Sequence, residues 1–156
     1  MKNELAGAAL AMLACTSGPS GSEGTGAEQP FESVVSEFHS GIAEKRREVV
    51  RDQESWARLW SEIHRGRDSP GQPPAVDFSR QMLILAALGT RPTGGFAVKV
   101  RGVSTRGERL EVVVLESCPA QGAMVSTALT QPVEVVRVAR LSQTPTFKEQ
   151  RETSCR

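Results

Sequence analysis

The sequence predicts an α+β fold in which an antiparallel sheet of five or six strands packs against one main amphipathic helix. Three features support this prediction. One segment repeats apolar residues at helical spacing, several others have the length and valine content of strands, and short turns join most of those strands. A single amphipathic helix must bury its apolar face, and the sheet is the surface that can cover it.

The first half of the domain is predicted to hold two strands, at residues 31–42 and 45–51, followed by the helix. The helix begins after Asp52, whose carboxylate can accept a free backbone N–H of the first turn, and it ends at Gly66. Its apolar side chains share one face, at i, i+3, i+4 and i+7: Trp56, Leu59, Trp60 and Ile63. We expect the two tryptophans to pack in the core; a ligand-stacking pair is the alternative.

The second half is predicted to hold the remaining strands. They lie at residues 81–88, 96–103, 110–115 and 133–141. The run QMLILAAL at residues 81–88 is apolar almost throughout, which is typical of a central strand covered on both faces. Because short turns join several of these strands, we expect an antiparallel meander.

The N-terminus is predicted to carry a targeting signal. The apolar run at residues 5–14 is about half as long as a membrane-spanning helix and has the length of a secretory signal. It ends in MLAC at residues 12–15, which resembles a bacterial lipobox, so residues 1–15 are interpreted as a lipoprotein signal peptide with Cys15 as the acylated residue. Several acyl chains on one cysteine would hold a protein on a bilayer. An ordinary signal peptide, or a buried helix with an accidental cysteine, is the alternative.

The rest of the domain plan follows from composition. Residues 16–30 have no large apolar side chain and predict a flexible linker; residues 31–148 are the expected globular domain, and residues 149–156 the C-terminal tail. The succession of lipidated cysteine, flexible linker and globular domain predicts a lipid-anchored protein of the bacterial cell envelope. Thr16, rather than aspartate, after the acylated cysteine favours the outer membrane by the sorting habit of enterobacterial lipoproteins. A periplasmic or secreted protein is the alternative.

Charge and composition exclude several classes of function. Lys and Arg number 19 and Asp and Glu 18, so clustered cations for a nucleic-acid partner are not expected. Two His and three Cys without ligand-like spacing predict no metal site and no cofactor. Cys118 could be imagined as a nucleophile with His39 or His64, but no nucleophile motif surrounds it. We therefore expect no catalytic residues and no enzyme.

Two cysteines are predicted to pair with each other. Once Cys15 is acylated, Cys118 and Cys155 remain, an even number in an exported domain. A disulfide between them would tie the C-terminal tail to the sheet. The alternative is two free thiols, with Cys155 on a frayed terminus.

Three motifs resemble those of the PrcB C-terminal-domain family: GTRPTGGF at residues 89–96 after a strand, WARLW at residues 56–60 upstream, and PVEVV at residues 132–136. The resemblance covers about residues 36–140. Members are commonly secreted or lipid-anchored bacterial proteins. The family takes its name from an accessory, non-catalytic subunit of a cell-surface protease complex. The resemblance therefore implies an envelope partner protein, which could be a protease.

The turn at residues 89–96 supplies the candidate binding residues. Pro92 has a fixed φ and disfavours helical backbone at Arg91, while Gly94 and Gly95 can adopt positive φ, so the link reverses stiffly. Arg91, Thr93, Gly94 and Gly95 are the candidates, with Arg91 and the glycine N–H groups offered to an anion or to a partner's C-terminal carboxylate. The alternative is a purely structural reversal.

Two functions remain open. The first is a non-catalytic, lipid-anchored interaction module that docks an envelope partner through exposed strand edges and the stiff turn. The second is an envelope protein that binds a small ligand in a pocket near this turn. A concave pocket at which Arg91, Gly94 and Gly95 converge would favour the second function, and a flat surface with an apolar patch would favour the first.

Overall fold

The computed structural model describes residues 26–152 and residue 155. The predicted lipidation site Cys15, the signal peptide and residues 16–25 of the predicted linker lie outside the described residues. The description of the fold below refers to the described part of the chain.

Across residues 26–152, the chain forms eight strands and one helix. In chain order these are β1 (Ala27–Glu28), β2 (Phe31–Glu37), β3 (Lys45–Val50), α1 (Gln53–Ile63), β4 (Gln81–Leu88), β5 (Ala97–Arg106), β6 (Arg109–Ser117), β7 (Val133–Ala139) and β8 (Pro145–Arg151). The strands form two four-stranded sheets: sheet 1 in the order β1-β5-β6-β8 and sheet 2 in the order β2-β7-β4-β3.

The two sheets face each other, and the helix covers the outer face of sheet 2. One cluster of buried apolar side chains comes from β4 and β7 on one side and from β5 and β6 on the other. A second cluster joins α1 to the opposite face of β4 and β7. The layers are therefore sheet 1, sheet 2 and helix, and β4 lies in the middle layer.

The α+β class is confirmed, but the expected single sheet of five or six strands is wrong. The described residues form two sheets, because the short helix covers one face of β4 and a second sheet has to cover the other. The expected antiparallel meander is also wrong. The successive strands β4 and β5 lie in different sheets, β7 pairs with β4 and β2, and β8 pairs parallel to β6. The sequence PTFKEQR of β8 has one large apolar residue, Phe147, so strand periodicity was too weak to reveal it.

The helix follows the prediction closely at its start. The Asp52 carboxylate accepts the backbone N–H of Ser55 at 2.8 Å and caps the first turn. Trp56 is fully buried, and Trp60 is half-buried with its ring edge against Trp56, so both pack in the core as expected. The helix ends at Ile63, before Gly66. Among the described residues, no helix has the length and hydropathy needed to cross a membrane.

The folded part extends beyond residues 31–148 at both ends. Ala27 and Glu28, within the range expected to be linker, pair with Thr105 and Ser104 of β5. Residues 149–151, expected to be tail, form the end of β8. Both segments are ordered by backbone hydrogen bonds to strands that are distant in the sequence. Local composition does not report such bonds.

The predicted cysteine pair is at disulfide distance. The Sγ atoms of Cys118 and Cys155 are 2.02 Å apart, and the Cα atoms are 5.1 Å apart. Cys118 directly follows β6, and Cys155 lies shortly after β8, its parallel neighbour. The bond therefore fastens together the ends of two adjacent strands.

Replacing both Cys118 and Cys155 by serine should lower the free energy of unfolding by about 3–4 kcal/mol, because the bond closes a loop with a sequence separation of 37 residues in the unfolded chain. Urea denaturation of the wild type and the double variant measures this difference. Reductant should lower the wild-type midpoint and leave the variant unchanged. Equal midpoints for wild type and variant would contradict the role assigned to this bond.

Candidate functional site

The turn between β4 and β5 is held against a distant part of the chain. Arg91 forms an isolated antiparallel bridge with Thr130, with N–H···O distances of 2.7 and 3.0 Å in the two directions. The Thr130 hydroxyl also donates to the Thr93 carbonyl at 2.8 Å. The turn is therefore fixed at both its start and its middle by the segment that precedes β7.

The two predicted glycines serve close packing. The Gly94 N–H donates to the Ser126 carbonyl at 3.0 Å, and a Cβ on Gly94 would lie 2.7 Å from the Ser126 hydroxyl. Gly95 has a φ of +83°, and a Cβ there would lie 2.8 Å from Pro119. The Gly94 N–H is thus already used within the fold, which favours the structural interpretation of this glycine pair.

The four predicted binding residues do not converge on one pocket. Arg91 lines one cavity, which we call the Arg91 cavity, and Gly94 and Gly95 line another, which we call the turn cavity. Thr93 is half-buried, and its hydroxyl donates to the Gly94 carbonyl at 3.1 Å. The chain reverses so sharply at the glycines that residues three or four positions apart face different sides of the turn.

The Arg91 cavity has a volume of about 380 Å³ and lies between the turn, the end of β6 and the disulfide. The Arg91 guanidinium carbon lies 5.8 Å from the centroid of the Phe96 ring, a cation–π distance. The Nε of Arg91 is buried and has no hydrogen-bond partner. Arg151, at the end of β8, also lines this cavity.

The turn cavity has a volume of about 450 Å³ and lies on the other side of the glycines. Phe38, His39 and Thr130 line it together with the two glycines. Phe38 is 58% exposed, and two further large apolar side chains are exposed within two residues of the cavity lining: Leu129 (60%), next to Thr130, and Met124 (fully exposed), two residues before Ser126. We call these three side chains the apolar rim. This end of the molecule therefore presents apolar surface to the solvent around a fixed backbone.

A group of ion pairs joins the two sheets beside the Arg91 cavity. Glu116 of β6 is buried, and its carboxylate meets Lys45 and Arg47 of β3 and, at 3.5 Å, Arg151 of β8. Arg47 is itself largely buried and donates to the Ala87 carbonyl at 2.7 Å. The sequence did not reveal this group, because Glu116 lies about 70 positions from Lys45 and Arg47.

Glu149 of β8 completes these ion pairs. Its carboxylate accepts hydrogen bonds from Arg47 at 2.9 Å and from Lys45 at 3.1 Å. Partial burial raises the pKa of the Glu149 carboxyl, but the hydrogen bonds from Arg47 and Lys45 outweigh that effect and lower the pKa from 4.5 to about 2.

A second buried carboxylate joins the sheets near the β5 bulge. Glu134 of β7 is buried and accepts the backbone N–H of Val100, where the register of β5 shifts. Lys99 and Ser33 also donate to it, at 3.1 and 3.0 Å. All these partners come from other strands, so this role was also missed from the sequence.

The two histidines and Cys118 have different contact partners. His64 is buried, with Nδ1 2.9 Å from the Trp60 carbonyl and Nε2 3.2 Å from Glu37, whereas His39 is exposed beside the turn cavity. Cys118 is bonded to Cys155, so its sulfur is not a free thiolate nucleophile here. Within the described ranges, no group of three or more His, Cys, Asp or Glu is placed to hold a metal ion.

The comparison with family models supports the resemblance noted from the motifs. Residues 82–139 match the model of the PrcB C-terminal family. The matched range runs from β4 to β7 and contains the turn and the segment that holds it, whereas α1 lies outside it. No curated protein and no solved structure matches the chain.

The lowered pKa of Glu149 predicts a loss of stability in acid. Above pH 4.5 the Glu149 carboxylate is charged in both the folded and the unfolded chain, so its ion pairs stabilise the fold fully. As the pH falls from 4.5 towards 2, the unfolded chain binds the proton first and the stability falls. Glu149→Gln should abolish this part of the pH dependence, measured by urea denaturation at a series of pH values.

The matched control is Glu108→Gln, in the exposed turn between β5 and β6, which should keep the wild-type pH dependence. Identical acid profiles for wild type and Glu149→Gln would contradict the assignment of the depressed pKa to this carboxyl.

Proposed function

We propose that this protein is a non-catalytic, lipid-anchored protein of the bacterial cell envelope whose folded domain is a protein-interaction module. The observation that carries the proposal is the apolar rim. Phe38 lines the turn cavity, Leu129 and Met124 lie within two residues of its lining residues Thr130 and Ser126, and all three expose large apolar side chains. Exposed apolar side chains grouped around one cavity are typical of a surface that another protein covers.

Rigidity of the backbone at this place supports the same proposal. The turn is fixed by the bridge between Arg91 and Thr130 and by the contact between Gly94 and Ser126. Residues 38–40 are in turn fixed to Gln131, which donates its N–H to the Phe38 carbonyl at 2.8 Å. A surface that is already ordered loses little conformational entropy when a partner binds.

The place where the chain enters the fold also suits a tethered module. β1 pairs with Ser104 and Thr105, near the C-terminal end of β5, whereas the turn precedes Ala97 at its N-terminal end. Strands rise about 3.3 Å per residue, so roughly 25–30 Å separate the two ends of β5. A linker that enters at β1 therefore joins the fold at the end of β5 opposite the turn.

The anchor itself rests on the sequence pattern at residues 12–15 and on the glycine- and serine-rich linker that follows. We propose Cys15 as the acylated residue and the outer membrane as the location. The partner is proposed to be another envelope protein, and what the family resemblance implies makes a surface protease the candidate.

Substituting both Phe38 and Leu129 by serine should abolish binding of the partner protein. The measurement is crosslinking and co-purification from the native envelope, followed by identification of the protein that is captured. The double variant should lose that protein, because water-exposed apolar area no longer drives association. Phe31→Ser, at the start of β2 and outside the turn cavity, is the matched control and should retain it. Capture of the same protein by both variants, or of none by the wild type, would count against the docking surface.

Cys15→Ser should abolish incorporation of radiolabelled palmitate in a lipoprotein-producing bacterial host, because the sulfur is the proposed attachment point. Thr16→Ser is the control and should be labelled like the wild type. Equal labelling of Cys15→Ser and the wild type would refute the anchor without affecting the docking surface.

A further inference from the structure

Arg91 carries a charged group that the fold leaves without an acceptor. Its Nε is buried and has no hydrogen-bond partner, and no described carboxylate lies within ion-pair distance of the guanidinium. The contact that the structure provides is the face of the Phe96 ring. A buried N–H donor without an acceptor is destabilising, and more so when the group is charged. An acceptor supplied from outside would remove that cost.

The cavity beside Arg91 has room and suitable walls for such an acceptor. Its volume of about 380 Å³ is in the range of small-ligand sites. Arg91 and Arg151 both line it, and Leu88, Phe96 and Pro119 contribute apolar groups to its wall. Two cationic side chains and an apolar wall thus share one space.

The charges around the cavity favour an anion. Six charged side chains form the cavity wall and the ion pairs behind it: Arg91, Arg151, Lys45, Arg47, Glu116 and Glu149. Four of these are cations and two are carboxylates, so the group has an excess of two positive charges. Glu116 lines the cavity too, but it is already paired with Lys45 and Arg47. The charge of Arg91 is left uncompensated.

We propose that the Arg91 cavity binds a carboxylate carried on an apolar stem. The planar fork of an arginine matches the two oxygens of a carboxylate, so Arg91 would hold the anionic group. The stem would lie against Phe96, Leu88 and Pro119. The exposed side chain of Arg151 lies 3.5 Å from Glu116 and can turn from that carboxylate towards the anion as a second donor. This site lies across the turn from the apolar rim, and the proposal does not depend on the docking surface.

The carboxylate could belong to a free small acid or to the C-terminal residue of a peptide, since both present the same chemistry. The test therefore uses the full chain with its disulfide intact and begins with N-acetyl-L-leucine and its carboxamide. In two-dimensional NMR, the acid should cause saturable shifts of the amide signals of Leu88, Phe96 and Ser117. The carboxamide should not, because it lacks the charge that Arg91 requires.

Arg91→Gln should weaken binding of N-acetyl-L-leucine by about tenfold or more, the effect of a lost hydrogen bond to a charged group. A dispersed amide spectrum would show that the variant is folded. Arg151→Gln changes an exposed side chain and should weaken binding by a smaller factor. Arg109→Gln, at the opposite end of β6 from the cavity, is the matched control and should bind like the wild type.

Equal binding of the acid and the carboxamide, no binding of either, or unchanged binding by Arg91→Gln would overturn the proposal. Inorganic phosphate that shifts the same signals with the same affinity would overturn the choice of a carboxylate. A short peptide ending in leucine distinguishes the two sources. Tighter binding than N-acetyl-L-leucine assigns the site to peptide C-termini, and equal or weaker binding assigns it to free small acids.

Discussion

The burial of β4 on both faces is the constraint on which the rest of the structure depends. Seven of its eight residues are buried, and they alternate between the cluster under the helix and the cluster between the sheets. Apolar surface of this extent is stable only when it is removed from water on both sides. The 11-residue helix covers one side, so a second sheet must cover the other. That second sheet contains β5 and β6, and the turn that leads into β5 contributes residues to both cavities.

Two buried carboxylates then set how the sheets meet. Glu116 joins β6 to the cations of β3, and Glu134 accepts a backbone N–H at the bulge of β5. A buried charge is tolerated when its partners are in place and is costly when they are not, so these contacts disfavour other alignments of the two sheets. Glu116 also forms part of the wall of the Arg91 cavity. The interactions that align the sheets thereby shape a site beside the disulfide.

The turn separates two surfaces of different character. On one side lies the turn cavity with exposed Phe38 and Leu129, and on the other the Arg91 cavity with its uncompensated guanidinium. Gly95 makes this separation possible, because its positive φ lets the chain reverse between Arg91 and Phe96 while Pro119 packs closely against it. The Arg91 cavity and the turn cavity therefore occupy neighbouring positions without sharing lining residues.

The sequence by itself determined the elements whose signals are local. The helix over its apolar face, the strands from β2 to β7, the stiff turn and the pairing of Cys118 with Cys155 could all be predicted from spacing, residue type and counting. Only the tertiary structure decided that the strands divide into two sheets, that β1 and β8 join them, and that Arg91 faces away from Gly94 and Gly95. The reason is physical. Hydrogen bonds to β5 and β6 order β1 and β8, and ion pairs with cations about 70 positions earlier hold the Glu116 carboxylate. Such contacts exist only after the chain has folded, so no local pattern carries them.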